Sequence, residues 1–166
     1  MAKYKYTIAI DPSINDCGLA IFNGKKLIIK SLLKPDSKKD HYLDKCRSMI
    51  SQIESIRDNY GNDYQIVTEI PMHFGSSVER GNLARESGAI YKLTFLCGMI
   101  YNIDNDVIGY EPREWKGQMP KDVVARRLQK EYPKENIFNI KKNKFIIDHN
   151  IADAIGIGHF YIHGKI

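Results

Sequence analysis

The chain has 166 residues, 43% hydrophobic and 27% charged, a size and balance that suit one soluble domain with a core of its own. No apolar run reaches the ~20 residues of a membrane span, and the opening MAKYKYTIAID lacks the apolar centre of a signal peptide. An intracellular, cytoplasmic location is therefore expected. A net charge of +5 with a pI of about 9.0 permits a polyanionic partner without requiring one.

Residues 4–10, 19–23 and 26–33 read as three consecutive strands, and Asn23-Gly24 marks a tight hairpin between the second and third. Between the first two lies TIAIDPSINDCG, an apolar run that stops at Asp11, a polar turn opened by Pro12, and a return at Gly18. A polar loop follows. Residues 42–57 then place Leu43, Cys46, Met49, Ile50, Ile53 and Ile56 at helical spacing. Residues 64–70 form a fourth strand, which ends on Glu69 and is closed by Pro71. After a loop carrying Met72 and Phe74, a long helix is expected over 78–101, with small residues at Ala84, Gly88, Ala89 and Gly98.

A fifth strand spans 106–111, and a loop over 112–120 holds the only Trp. Residues 121–131 make a basic helix with Val123, Val124 and Leu128 on its apolar face. The lysine-rich segment 136–143 reads as a loop, and 151–162 as a final helix. Strands in this order, three in an antiparallel meander and two alternating with helices, predict an α/β fold: a five-stranded mixed sheet with helices on both faces. No repeat or linker divides the chain, so 1–166 is expected to be a single domain. Cys17, Cys46 and Cys97 form no C-x-x-C pair, which argues against a disulfide framework or a zinc site.

Asp11 and Glu69 both end strands, and neighbouring strands would bring them together. An Asp before Pro is also an ordinary way to start a turn. Asp153 falls in the first turn of the final helix, where an acid suits the helix dipole and Asn150-x-x-Asp153 resembles a capping pair. Yet its neighbours in IADAIGIG are apolar, and a carboxylate so placed needs a partner or a cation. Three carboxylates at the ends of rigid elements make an oxygen-ligand site suited to Mg²⁺ or Mn²⁺. Two such ions can activate water and stabilise the leaving oxygen of a phosphodiester. His159 and His163 lie four residues apart without an H-E-x-x-H motif, and are taken as packing or surface residues.

D-P-S-x-x-x-x-G at 11–18, the strand ending on Glu69, and N-I-A-D-A-I-G-I-G at 150–158, in that order, resemble the RuvC-type Holliday junction resolvases of the RNase H-like superfamily, phage-type members included. The resemblance runs over nearly the whole chain. It implies an RNase H-like fold, a homodimer, and Mg²⁺-dependent (Mn²⁺ substituting) paired nicking of a four-way DNA junction by a two-metal mechanism. Asp11, Glu69 and Asp153 would be the metal-binding catalytic acids. Where the family has a further acid or a His, this chain has Asn150, flanked by Asp148 and His149; either Asn150, through its carbonyl oxygen, or Asp148 would be the fourth ligand. Ser13 replaces a common glycine. Met72 or Phe74 would supply the wedge that opens base steps in the family, with ordinary loop packing the alternative. The helix over 78–101 would pack on a dimer mate.

Phosphate contacts are sought at Arg80, Arg85, Lys116, Lys121, Arg126, Arg127, Lys130, Lys141, Lys142 and Lys144, each of which is also an ordinary solvated side chain. Two other functions remain open: a nuclease of the same fold acting on RNA–DNA hybrids, and a nucleic-acid-binding relative without catalysis. An actin-like nucleotide-binding fold would need a second phosphate-binding hairpin and a longer chain.

Overall fold

The computed structural model describes residues 4–37, 41–71, 88–135, 137–141 and 144–166, with the backbone alone for 138–141 and 144–147. Five strands form one sheet: β1 (Tyr6–Asp11), β2 (Cys17–Asn23), β3 (Lys26–Leu33), β4 (Tyr64–Glu69) and β5 (Ile108–Tyr110), in the order β3-β2-β1-β4-β5. β1 to β3 pair antiparallel, whereas β4 lies parallel to β1 and β5 parallel to β4. The sheet is mixed because a short turn returns the chain antiparallel twice, and then each further strand arrives after a helical crossover.

α1 (Tyr42–Asp58) links β3 to β4, and α2 (Ala89–Tyr101) precedes β5. Of the helix expected over 78–101, α2 covers 89–101 and opens after an N-cap at Gly88; residues 78–87 lie outside the described residues. Next come a single-turn helix, α3 (Pro112–Trp115), then α4 (Lys121–Glu131) and α5 (His149–His163). α3 corrects the loop expected over 112–120: Pro112 starts it with a preset φ, and the Glu111 N–H donates to the Glu114 carboxylate at 2.6 Å.

A second correction concerns 136–143. Rather than a loop, β6 (Phe138–Lys141) pairs antiparallel with β7 (Lys144–Ile147), Phe138 opposite Ile147 and Lys141 opposite Lys144. Each strand is four residues long and carries lysine, too short and too polar for its alternation to stand out.

Strand alternation sorts the core onto two faces. Ile8 and Ile10 of β1, Leu19 and Ile21 of β2 and Ile66 of β4 pack with Cys46, Met49 and Ile53 of α1 and Leu96 and Ile100 of α2. Ala9, Ala20, Phe22 and Val67 face the other way, onto Ala154, Ile155 and Ile157 of α5, Val124, Ala125 and Leu128 of α4, and Trp115. Helices therefore cover both faces, as the sequence predicts. α5 comes unusually close. A Cβ at Gly158 would meet the Phe22 ring at 2.3 Å, and one at Gly18 of β2 would meet the backbone oxygen of Asn150 at 2.0 Å.

On α5, His159 shares a 2.8 Å hydrogen bond with the Tyr132 hydroxyl and stacks on His163, so both histidines pack as expected. Burial, then the neighbouring His163 charge, lowers the pKa of His159; burial likewise lowers that of His163. Both rings bind protons less readily when folded than the ordinary ~6.5 of an unfolded histidine. Stability is thus lost as pH falls below about 6.5. His159→Gln should flatten that acid limb in thermal melts between pH 7 and 5; an unchanged limb would assign it elsewhere.

Candidate active site

β1 and β4 run parallel with Ile10 beside Thr68, so the next residue of each strand, Asp11 and Glu69, leaves the sheet at the same end. By alternation, Asp11 follows Ala9 and Glu69 follows Val67 onto the α5 face. Asp153 meets them there from the second turn of α5, 3% exposed. The turn after β1 is pinned: the Cys17 thiol donates to the Asp11 carbonyl at 3.3 Å, and burial pushes that thiol up to about 12, so it stays protonated.

Two cations stand among the acids. Lys116, one residue past α3, places its ammonium 3.5 Å from Glu69 Oε2 and 3.2 Å from Asp153 Oδ2, and 4.4 Å from the Trp115 ring centre. Lys121, the first residue of α4, reaches the same Asp153 oxygen at 3.1 Å. The Trp115 indole N–H donates to Glu69 Oε2 at 2.9 Å, and its ring fits over α5 because residue 156 is glycine.

Burial, followed by the charges of Glu69 and Asp153, holds Asp11 well above the usual carboxylate range, with Lys121 and Lys116 pulling the other way. Burial also raises Glu69; Lys116 and the Trp115 hydrogen bond oppose it, and Asp153 adds to it. For Lys121, burial favours losing the proton, but Asp153, with Asp11 and Glu69 behind it, outweighs burial and raises the pKa. The site thus concentrates negative charge in a poorly solvated place and attracts cations to it.

The donors are hard oxygens, which fits Mg²⁺ or Mn²⁺. The spacing is not closed around an ion: among the described residues, no group of three or more His, Cys, Asp or Glu side chains is gathered tightly enough to hold one. The space between Glu69 and Asp153 belongs to the Lys116 ammonium.

The same arrangement of sheet and helices occurs in Thermus thermophilus RuvC in complex with a Holliday junction substrate, with a TM-score of 0.65 and 17% identity over 93% of this chain and 90% of that one. The chain has the RuvC-type, RNase H-like fold. A second T. thermophilus RuvC structure (TM-score 0.57, 14% identity, 96% of each chain) and the fowlpox virus Holliday junction resolvase (TM-score 0.53, 19% identity, 96% of this chain and 99% of that one) are similar too. No protein-family model matches the chain, and no curated protein matches it in sequence.

On this RuvC-type frame, the candidates for a fourth ligand have structural work. The Asn150 amide donates to the Asp16 carbonyl, tying α5 to the turn after β1; its Oδ1 is the side-chain atom that could bind a cation. Asp148 is the N-cap of α5 and accepts from the Ile151 N–H at 3.3 Å. The cap is therefore Asp148 rather than the pair Asn150-x-x-Asp153, and α5 begins at 149 rather than 151.

Of the expected phosphate contacts, Lys116 and Lys121 turn inward to the acids. Arg126, Arg127 and Lys130 lie exposed on α4, Arg126 paired with Asp122 at 3.4 Å and Arg127 donating to the Ile166 carbonyl at 3.1 Å. Met72, Phe74, Arg80, Arg85 and Lys142 lie outside the described residues, and only the backbone of Lys141 and Lys144 is described. Sequence reasoning missed Trp115 as a partner of Glu69. The available signal was a lone Trp joined to Lys116 in a polar stretch, where a buried indole needs an acceptor for its N–H.

Proposed function

We propose that this protein is a metal-dependent, structure-selective endodeoxyribonuclease that resolves four-way DNA junctions by paired nicking. The observation that carries the reading is the convergence of Asp11, Glu69 and Asp153, delivered by two parallel strand ends and one helix. Support comes from the likeness in fold to a RuvC bound to a Holliday junction. Asp11, Glu69 and Asp153 would hold Mg²⁺ or Mn²⁺, with Asn150, through its Oδ1, or Asp148 as the fourth ligand. When bound, the ion would stabilise charge on the phosphate oxygens and make water a better nucleophile.

The chain's own groups do the rest. Trp115 fixes the rotamer of Glu69 through one oxygen. Lys116 and Lys121 supply positive charge beside the place where a phosphate would sit. α4 offers Arg126, Arg127 and Lys130 to the backbone of the same DNA. Two nicks on opposed strands call for two sites related by a two-fold axis. α2 has a face for that: Tyr91 and Phe95, four residues apart, are 66% and 45% exposed, with Gly98 one further turn along.

Cleavage of a four-way junction, a linear duplex and an RNA–DNA hybrid, side by side in Mg²⁺, tests the reading. Preference for the junction supports it, and preference for the hybrid replaces it with the related hybrid-cleaving nuclease. Binding should fall steeply with salt, each phosphate contact to duplex DNA contributing about −0.9 to the log–log slope. Arg126→Glu with Arg127→Glu should weaken junction and duplex binding together and flatten that slope. A slope unchanged in the double variant would move the DNA path away from α4.

A further inference from the structure

Lys116 is a closely confined cation. Its side chain is 12% exposed and is held by Glu69 Oε2, Asp153 Oδ2 and the Trp115 ring together. Lys121 makes a similar contact with Asp153, 3.1 Å away, but its side chain is half exposed and has no ion pair with Glu69 among the described residues. The two lysines are therefore not equivalent. Lys121 can swing to water and leave the acids as they are. Lys116 stands between two carboxylates that a single divalent ion would have to share, and its departure removes the only described bridge between them.

We propose that Lys116 is an internal counter-ion that competes with the divalent metal for Glu69 and Asp153, so that an ion enters only as this ammonium leaves. The inference rests on the reading of these acids as a metal site. Physically, an ammonium and a metal ion cannot occupy one space between two carboxylates, and keeping both cations nearby costs repulsion. Withdrawn from the acids, the ammonium remains tethered one residue past α3, where its nearest new partner is an anionic phosphate. Metal entry and phosphate binding are thereby coupled: a phosphate that draws Lys116 away raises the site's affinity for the ion, and by linkage the ion raises affinity for the phosphate. The free protein would hold metal weakly and the DNA-bound protein tightly, which limits metal loading away from substrate.

The test uses metal-stripped full-length protein without DNA and reads Mn²⁺ binding by electron paramagnetic resonance of the free ion and by calorimetry. Lys116→Met removes the charge and keeps a chain that packs on the Trp115 ring; Lys116→Gln is a second variant in case the first folds poorly, and thermal melts report folding. Either should bind Mn²⁺ about tenfold more tightly than wild type, and Lys116→Arg should stay close to wild type. Lys121→Met, which removes the same charge from the same aspartate, should gain twofold or less. Equal gains at 116 and 121 would mean bulk electrostatics without competition and would overturn the proposal, as would wild-type affinity in Lys116→Met. If Mn²⁺ binds to none of these proteins, or binds Asp153→Asn as well as wild type, the metal-site reading itself fails, a result distinct from the other two.

Discussion

Asp11→Asn will lose Mg²⁺-dependent cleavage by about a thousandfold or more and, in the metal-free protein, will melt at a higher temperature than wild type. The first effect follows from taking one carboxylate from a set that acts as a unit. Glu69→Gln and Asp153→Asn should lose activity to a similar degree, and a double variant should be barely worse than a single one. The second effect follows from what surrounds Asp11. It is buried, and Glu69 and Asp153 repel its charge more than Lys121 and Lys116 offset it, so its pKa is well above the ordinary value.

The folded protein therefore binds this proton at higher pH than the unfolded chain, whose aspartate titrates near about 3.9. Between those two values stability falls as pH rises, and above the native value the full cost of the buried charge is present. Asparagine carries no such cost. Its advantage should appear as a higher melting temperature at neutral pH. It should shrink as pH is lowered through the native pKa of Asp11. A variant less stable than wild type at neutral pH, or an advantage that ignores pH, would mean that Asp11 is not held among like charges.

Gly18→Ala should destabilise the protein by about 2–4 kcal/mol and cut activity well beyond that loss of folded protein. The added Cβ would lie 2.0 Å from the Asn150 carbonyl oxygen and 2.5 Å from its carbon. Both are backbone atoms of α5, so the clash cannot be relieved by rotating a side chain. The N-terminal end of α5 must rise from β2, carrying Asp153 away from Asp11 and Glu69 and loosening the Asn150 tie to the turn. Gly24→Ala is the control. It has open space around it, and its positive φ of 56° should cost about 1 kcal/mol with no effect on turnover. Equal activity per folded molecule in Gly18→Ala and wild type would show that close seating of α5 does not position Asp153.

The three acids proposed as the site stand out in the sequence because each ends or begins a rigid element with strong local signals. Apolar runs stop abruptly at Asp11 and near Glu69, and Pro12 and Pro71 mark where the chain must leave the sheet. The adjacency of β1 and β4 then does the rest, since parallel strands that start level also end level. α4 was legible to the residue because its apolar face repeats cleanly. What could not be read was anything decided by side chains meeting across elements. Lys116 and Lys121 look like phosphate ligands in a basic stretch, and only the packing of α3 and α4 against α5 turns them onto Glu69 and Asp153. A lone Trp signals an indole in need of an acceptor, but that its partner is Glu69 is decided by the same packing. The β6–β7 hairpin was missed because four-residue strands carrying lysine have too little alternation to outweigh their polarity.

One incubation tests directly whether Asp11, Glu69 and Asp153 form one metal-dependent nuclease site. Purified wild-type protein is given a synthetic four-way junction of fixed arms, labelled in turn on each strand, with Mg²⁺ and with chelator. Symmetric nicks are expected in two opposed strands, only with Mg²⁺, yielding two linear duplexes, and none with Asp153→Asn. Cleavage that persists in chelator, or intact junction in Mg²⁺ from protein that binds it, would contradict the account.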